Sequence, residues 1–279
     1  MAGVGKELYE DIYKDGFSFG ENWKKFLSKF NRKRLKLAKK SLGDFTGLKS
    51  LKGMVFVDIG CGSGLFSLAA AELGAKKVVS VDIDDSSIAC TSFLRKKFGY
   101  SKARWNIRKG SALDRKFLAS LPRADLLYSW GVLHHTGRMY EALGNVSPLV
   151  QKGGLFYVAI YNDFRGLPFS SKAWVRIKRF YSRRGRVVRW IMRRLYAGVI
   201  IAGLIAYRRN PISYIRNYGR HSVRGMDFFV DVEDWMGGYP YEYATTGQIK
   251  AFFAKRGLEL ENIRTTTREG CNEFLFRKR

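Results

Sequence analysis

Between Met54 and Tyr161 the chain alternates short apolar runs with stretches of helical period. Met54-Val55-Phe56-Val57-Asp58-Ile59 has the length and composition of a buried strand; glycines follow it, then the helical stretch Leu65 to Leu73, which Gly74 closes. Val78 to Asp82 reads as a second strand. The same alternation predicts a helix near Ser86 to Phe98, a strand near Arg104 to Arg108, a short helix near Arg115 to Ser120, and a strand at Asp125 to Trp130. A helix near Met139 to Val150 then leads to a strand at Gly154 to Tyr161. Strands separated by helices of this length predict a parallel sheet with right-handed crossovers, the doubly wound α/β class.

The flanks depart from this rhythm. Residues 7 to 50 read as helical, with Trp23, Phe26, Leu27, Phe30, Leu35 and Leu37 set among Lys and Arg, and form an amphipathic N-terminal cap. After Asn162 the alternation stops until a helix at Thr246 to Arg256 and two strands, Leu258 to Arg264 and Glu273 to Lys278, joined by a hairpin. The division expected is a cap over 1–50, a core over 51–163, a helical insert over 164–243, and a helix with a hairpin over 244–279 that completes a seven-stranded sheet.

Composition adds one abnormal quantity. Of 279 residues, 51 are Lys or Arg and 24 are Asp or Glu, a net charge of +27, which draws the protein toward polyanions: anionic lipid, nucleic acid or an anionic substrate. Hydrophobic residues make up 46% and aromatics 15%, which excludes a disordered or fibrous chain. Cys61, Cys90 and Cys271 are odd in number and far apart, so neither a disulfide framework nor a metal site is expected. The first fifteen residues carry charges throughout and lack a signal-peptide core, and the longest uncharged apolar run, Leu195 to Tyr207, falls short of the ~20 residues a spanning helix needs. A cytoplasmic protein, peripheral at the inner membrane face, is the expectation.

The strongest chemical signal is Asp58-Ile59-Gly60-Cys61-Gly62-Ser63-Gly64 between the first strand and helix. Glycines there let the backbone approach a ligand and turn tightly into a helix whose N-terminal amides face it. Asp82 ends the second strand 18 residues after Gly64, where a carboxylate can take both hydroxyls of a ribose. The GxGxxG spacing of dinucleotide sites is absent, and Asp58 stands where it can meet a ligand ammonium; both favour S-adenosylmethionine (SAM) over NAD. The run Val55 to Gly64 resembles the first motif of the class I SAM-dependent methyltransferases, which are Rossmann-like. That resemblance implies that Asp58 binds the methionine amino group, Asp82 the ribose, and Ser111 and Ala112 the adenine side, with Asp114 a secondary candidate. The cofactor contacts expected are Asp58, Gly60, Cys61, Gly62, Gly64, Asp82, Ile83, Ser111, Ala112 and Trp130.

Ligands of doubly wound sheets lie at the carboxyl ends of the strands, so Trp130 to His135 and Tyr161-Asn162-Asp163 should face the reacting methyl. Methyl transfer to a hydroxyl needs a positioned acceptor and a base. Two of the three histidines stand together here; His135 is the expected base, His134 is expected to pack or hydrogen-bond beneath the site, and Asn162 and His221 complete the catalytic candidates. Gly270, Cys271, Asn272 and Glu273 of the terminal hairpin are further pocket candidates. Ser129 to Thr136 and Gly153 to Phe156 resemble the quinone-pathway methyltransferases, the polyprenyl-hydroxyphenol and benzoquinol type. No (D/N)PP(Y/F) motif follows the fourth strand, which weighs against methylation of a base's exocyclic amine.

From Arg165 to Met226 there are 16 Lys or Arg and no acid, interleaved with aromatics. Trp174, Ile177 and Tyr181, then Val187, Val188, Ile191, Met192 and Leu195, recur at helical spacing, and Ala197 to Tyr207 is apolar. A membrane-facing lid over residues 165–226, a plain substrate lid or oligomer contact, and a nucleic-acid surface remain open; the apolar run favours lipid or a buried helix over RNA. Downstream, His221, Arg224, Asp227, Asp234 and Tyr239 are expected in a pocket wall. The function expected is transfer of a methyl group from SAM to a small or lipophilic acceptor, oxygen before carbon, with RNA methylation and a non-catalytic SAM-binding scaffold as alternatives.

Overall fold

The computed structural model describes residues 30–166, 169–221 and 228–279, the side chains of residues 219–221 excepted. Trp23, Phe26 and Leu27 of the expected cap, and Arg224 and Asp227 of the expected pocket wall, lie outside the described residues, as does the His221 side chain.

Helix α1 spans Arg32–Thr46; Asn31 caps it by accepting from the Arg34 N–H at 3.0 Å, and Gly47, left-handed at φ 73°, ends it. Leu35, Ala38, Leu42 and Phe45 recur on its buried face and seat it on the first helix of the core. The core follows as β1 (Val55–Ile59), α2 (Leu65–Glu72), β2 (Lys77–Asp82), α3 (Asp85–Lys97), β3 (Trp105–Lys109), α4 (Arg115–Ala119), β4 (Ala124–Trp130), α5 (Met139–Val146) and β5 (Val150–Tyr161).

The insert supplies four helices, α6 (Ser171–Ser182), α7 (Arg186–Ala206), α8 (Pro211–His221) and α9 (Phe228–Gly237), before α10 (Thr246–Ala254), β6 (Leu258–Arg264) and β7 (Cys271–Lys278). The expected basic helix and the apolar run after it are one continuous element, α7, because no glycine or proline signal strong enough to stop a helix separates Arg186 from Ala206.

The seven strands lie in the order β3-β2-β1-β4-β5-β7-β6, parallel except for β7, which is antiparallel to both neighbours. Alternation along the strands divides the core. Phe56, Leu126, Tyr128, Leu155 and Tyr157 face α1, α2 and α3, while Val57, Leu127, Phe156, Val158 and Ile160 face α4, α5 and α10. The strand order reverses between β1 and β4, and the crevice at that switch point opens at the carboxyl ends of both.

The insert is tied to that edge at its neck. Ala244 donates its N–H to the Tyr161 carbonyl at 3.0 Å, and Asn162 and Ala244 form an isolated parallel bridge. The strap that returns from α9 is fastened to the loop after β4: the Glu242 N–H reaches the His134 carbonyl at 3.0 Å, and the Glu242 carboxylate accepts from the Met139 N–H at 3.0 and 3.1 Å. That carboxylate does for α5 what its N-cap residue, Arg138, does not. Glu242→Ala is expected to cost about 1 kcal/mol of stability, read as a lower urea midpoint at unchanged slope; an unchanged midpoint would remove the capping role.

Candidate active site

The glycine turn forms because three glycines take left-handed conformations, at φ 80°, 51° and 78° for Gly60, Gly62 and Gly64. A Cβ on Gly60 would stand 2.4 Å from the Val132 methyls, and one on Gly64 would stand 2.9 Å from the Thr91 Cα. The turn is therefore closed to side chains from two directions. It borders a cavity of about 1000 Å³ that starts at the switch point and runs out under the insert.

Two carboxylates mark the inner end of that cavity. Asp58 sits on β1, buried, and one oxygen accepts from Ser67 Oγ at 2.6 Å. Ser67 lies 2.6 Å from Ser80 Oγ, which in turn accepts from Trp105 Nε1 at 2.7 Å. Because the indole only donates and the carboxylate only accepts, the two hydroxyls must be ordered in one direction, each donating toward Asp58. The other oxygen, Oδ1, is buried without a hydrogen-bond partner. Burial pushes the carboxyl up to about 7 despite the Ser67 bond, and the nearby Asp82 charge adds to the shift.

Asp82 ends β2 and accepts from the Gly62 N–H at 2.9 Å and the Asp84 N–H at 3.0 Å, so it also fixes the glycine turn. Burial raises it to about 6, the two backbone donors opposing. A ligand ammonium at Asp58 Oδ1 and a pair of hydroxyls at Asp82 would supply what these acids lack, and this chemistry fits the sulfonium amino acid and ribose of SAM.

Of the expected cofactor contacts, Asp58, Gly60, Cys61, Gly62, Asp82, Ile83, Ser111, Ala112 and Trp130 border the cavity. Gly64 does not; it caps α2 from one step behind. Asp114 is also withdrawn, because its carboxylate accepts from the Phe117 N–H at 2.9 Å as the N-cap of α4. Burial holds the Cys61 thiol well above its ordinary range, beside Thr91 Oγ1 at 3.3 Å, so it presents a neutral surface to the cavity.

The two histidines divide. His135 borders the cavity, with Nδ1 2.6 Å from the Pro240 carbonyl. A carbonyl can only accept, so Nδ1 carries the proton and the neutral ring has its lone pair on Nε2. His134 is fully buried, accepts the Tyr161 N–H on Nδ1 at 3.3 Å and lies 3.9 Å from the Tyr161 ring, off the cavity. Asn162, expected at the methyl, is instead a tie between β5 and the hairpin. It donates to the Thr266 carbonyl at 3.1 Å and accepts from Asn272 at 3.0 Å. Of the hairpin candidates, Gly270 and Cys271 reach the cavity; Asn272 completes the tie and Glu273 pairs with Arg264 at 3.2 Å. Asp234 and Tyr239 also border the cavity.

The outer wall was less foreseeable. Tyr196 and Ile200 come from α7, Tyr214 and Tyr218 from α8, and Phe228, Asp231 and Val232 from α9. Behind this wall, Lys178 of α6 is fully buried among the rings of Trp235, Tyr241, Tyr161 and Trp174, at 4.2, 4.8, 5.6 and 5.7 Å, and donates to the Trp235 carbonyl. Burial lowers its amine to about 7, with Cys271 and Asp234 opposing. Its sequence signal is position: Lys178 falls four residues after Trp174 and three before Tyr181, on the aromatic stripe of a helix whose other cations face out. Among the described residues no cluster of His, Cys, Asp and Glu could hold a metal ion.

A family profile described as a methyltransferase domain matches residues 50–188. The ribosomal protein L11 methyltransferase of Tolumonas auensis is 31% identical over 109 residues, 39% of this chain and 34% of that protein. The Legionella pneumophila enzyme of the same name is 54% identical over 41 residues, 15% and 14% of the two chains. The chain thus spans about a third or less of the length of these curated relatives. Among solved structures, a putative sarcosine dimethylglycine methyltransferase from Galdieria sulphuraria superposes with a TM-score of 0.52 at 10% identity, over 88% of this chain and 85% of that one. An O-methyltransferase family protein from Burkholderia thailandensis does so at 0.51 and 12%, over 88% and 57%. These similarities extend the shared fold beyond the matched domain.

Proposed function

This chain carries a class I SAM-dependent methyltransferase domain, and from that premise we propose that it methylates an oxygen of a small, lipophilic acceptor held under the insert. The observation that carries the reading is the continuity of the cavity, which joins the Asp58 and Asp82 carboxylates to the aromatic wall of α7, α8 and α9 without a partition. Asp58 binds the methionine ammonium, Asp82 the ribose hydroxyls, and the segment Ser111-Ala112 the adenine.

Bound SAM supplies a methyl group on a sulfonium and departs as the thioether. The protein's share is positioning and proton removal. Tyr196, Tyr214 and Phe228 give an apolar acceptor a surface to pack against beside the transferring methyl. As the new O–CH₃ bond forms, the acceptor hydroxyl gives its proton to Nε2 of His135, whose other nitrogen the Pro240 carbonyl orients. The strap bearing Pro240 is the one fastened to the β4 loop through Glu242, so the insert and the base are set by the same segment.

His135→Ala is expected to lower kcat about 100-fold, the usual contribution of a positioned base, with SAM affinity unchanged in calorimetry. Acceptor class is tested by incubating the protein with methyl-labelled SAM and separated lipid, small-molecule, protein and RNA fractions. Label in the organic-soluble fraction is the expected result. Label in protein alone would favour the acceptor named for the L11 methyltransferases, and label in RNA alone would favour a nucleic-acid role for the basic insert; either outcome sinks the lipophilic reading.

A further inference from the structure

Helix α7 has two apolar faces. One packs inward: Ala197 is buried against Phe228 and Val232, and Tyr196 and Ile200 wall the cavity. Among the described residues, none covers the opposite face. Val187, Ile191, Leu195 and Ile205 recur along it at helical spacing and are 72, 44, 66 and 61% exposed, with Trp190 and Val199 on its flanks at 52 and 49%. Exposed apolar residues scattered singly need no explanation, but a ridge along a 21-residue helix, about 31 Å at 1.5 Å per residue, marks an interaction surface.

Charge identifies the partner. One cation, Arg194, stands on the ridge, and it lies over the Trp190 and Phe229 rings at 5.3 and 5.9 Å. Arg189 is taken up by the Tyr181 and Ser182 carbonyls and Arg193 by Glu233, while Arg183, Arg184 and Arg186 stand at the helix start and Arg208 and Arg209 at its end. At the far end Ile201, Ile205, Ile212 and Ile215 line an open groove together with Arg208 and Arg209. An apolar ridge with cations at both ends suits a lipid interface, where the ridge enters the acyl boundary and the long arginine side chains reach up to anionic headgroups. RNA would need the arginines on the ridge itself, and apposing two copies of the chain would bring their flanking arginines together.

We propose that α7 and the start of α8 dock this protein on the surface of an anionic phospholipid bilayer, lying in the plane of the interface. The helix cannot cross the bilayer, since its inner face is committed to the cavity; among the described residues no helix is long and apolar enough to do so. The same helix then rests on lipid with one face and roofs the acceptor cavity with the other. The inference extends the lipophilic-acceptor reading to a partner, but it is tested without any methyl acceptor.

The test is co-sedimentation of the full chain with phosphatidylcholine vesicles, with and without phosphatidylglycerol. The expected result is binding that requires phosphatidylglycerol, falls as salt rises, and weakens at least about tenfold in Ile191→Glu/Leu195→Glu, which removes apolar contact and adds like charge. Arg208→Ala/Arg209→Ala should weaken it by several-fold without the change in ridge contact. Both pairs are exposed, so the thermal melt and SAM affinity should stay at parental values; a vesicle failure with SAM binding intact counts against docking alone. A parent that stays in solution with phosphatidylglycerol vesicles, or that partitions no better than the glutamate variant, overturns the proposal. So does a parent that sediments as a dimer which the glutamate variant dissociates.

Discussion

Asp58→Asn will bind SAM several-hundredfold more weakly than the parent at about pH 8, a loss of roughly 3–4 kcal/mol expected when one partner of a buried, charged hydrogen bond is removed, and the deficit will shrink as the pH falls. The direction follows from the ground state of the free site. Burial raises the Asp58 carboxyl to about 7, so the ligand-free protein holds it protonated in mild acid. An ammonium binds the ionised form, so parental affinity should weaken by up to about tenfold per pH unit below that value and level off above it. Asp82, raised to about 6, adds a shallower second inflection. The asparagine variant lacks the steeper step. Calorimetry across this range in buffers of different ionisation enthalpy would show proton release in the parent and little in the variant. Equal affinities at both ends of the range would remove Asp58 from the ammonium site.

The same substitution should act in the opposite sense on stability. A carboxyl whose folded pKa lies above its unfolded value of 3.8 binds its proton more tightly in the folded chain. Ligand-free stability therefore falls as pH rises from about 4 to about 7, and Asp58→Asn removes the Asp58 share of that slope, leaving the shallower part that Asp82 contributes up to about 6. The variant should melt higher than the parent in neutral, SAM-free buffer while failing to gain from added SAM. A group that weakens the empty protein and strengthens the bound one is what a preorganised ligand site requires, and it separates a binding role for Asp58 from a structural one.

This cofactor end of the cavity was readable from sequence because its determinants are local. Glycines at positions 60, 62 and 64 take positive φ at no steric cost, and a strand ending in Asp82 places that carboxylate beside the switch point by topology alone. The hydroxyl relay from Trp105 through Ser80 and Ser67 to Asp58 was not readable, since it joins three strands and a helix at separations no periodicity records. His134 and His135 are adjacent in sequence and chemically identical; position alone made His135 the expected base, and the partners that hold the two rings apart are not local. One ring meets the Pro240 carbonyl, 105 residues away, and the other meets the backbone of Tyr161. Asn162 failed as an active-site candidate for a related reason. Its place at the end of β5 was right, but the hairpin bearing Thr266 and Asn272 folds back across it and takes both ends of its amide. The outer wall of the cavity lay beyond reach because side chains from three helices compose it, and the sequence patterns of α7, α8 and α9 do not say which face of each turns inward.

Lys178 gives the second large effect, this time on the insert. The parent is expected to gain stability as pH rises from about 7 to about 10, by an amount on the order of 3–5 kcal/mol, and Lys178→Met is expected not to. The amine's folded pKa, about 7, lies below its ordinary 10.5. Between those values the unfolded chain binds the proton and the folded one does not, so alkali favours the folded state; below about 7 the cost of holding a cation in an aromatic core is fully present. Cation–π contact with Trp235 and Tyr241 and the bond to the Trp235 carbonyl offset part of that cost and set the geometry. Methionine keeps the length and apolar contact of the lysine and removes the charge. Urea midpoints of the two proteins should therefore differ most near pH 6, with methionine the more stable, and converge toward pH 10. Parallel pH profiles would mean that the amine reaches water or a compensating charge in both protonation states. Because Tyr161, Trp235 and Cys271 border the cavity while Lys178 stands behind them, a parent whose acceptor affinity changes through the same pH interval, and a methionine variant whose affinity does not, would make Lys178 the residue that tunes the aromatic wall.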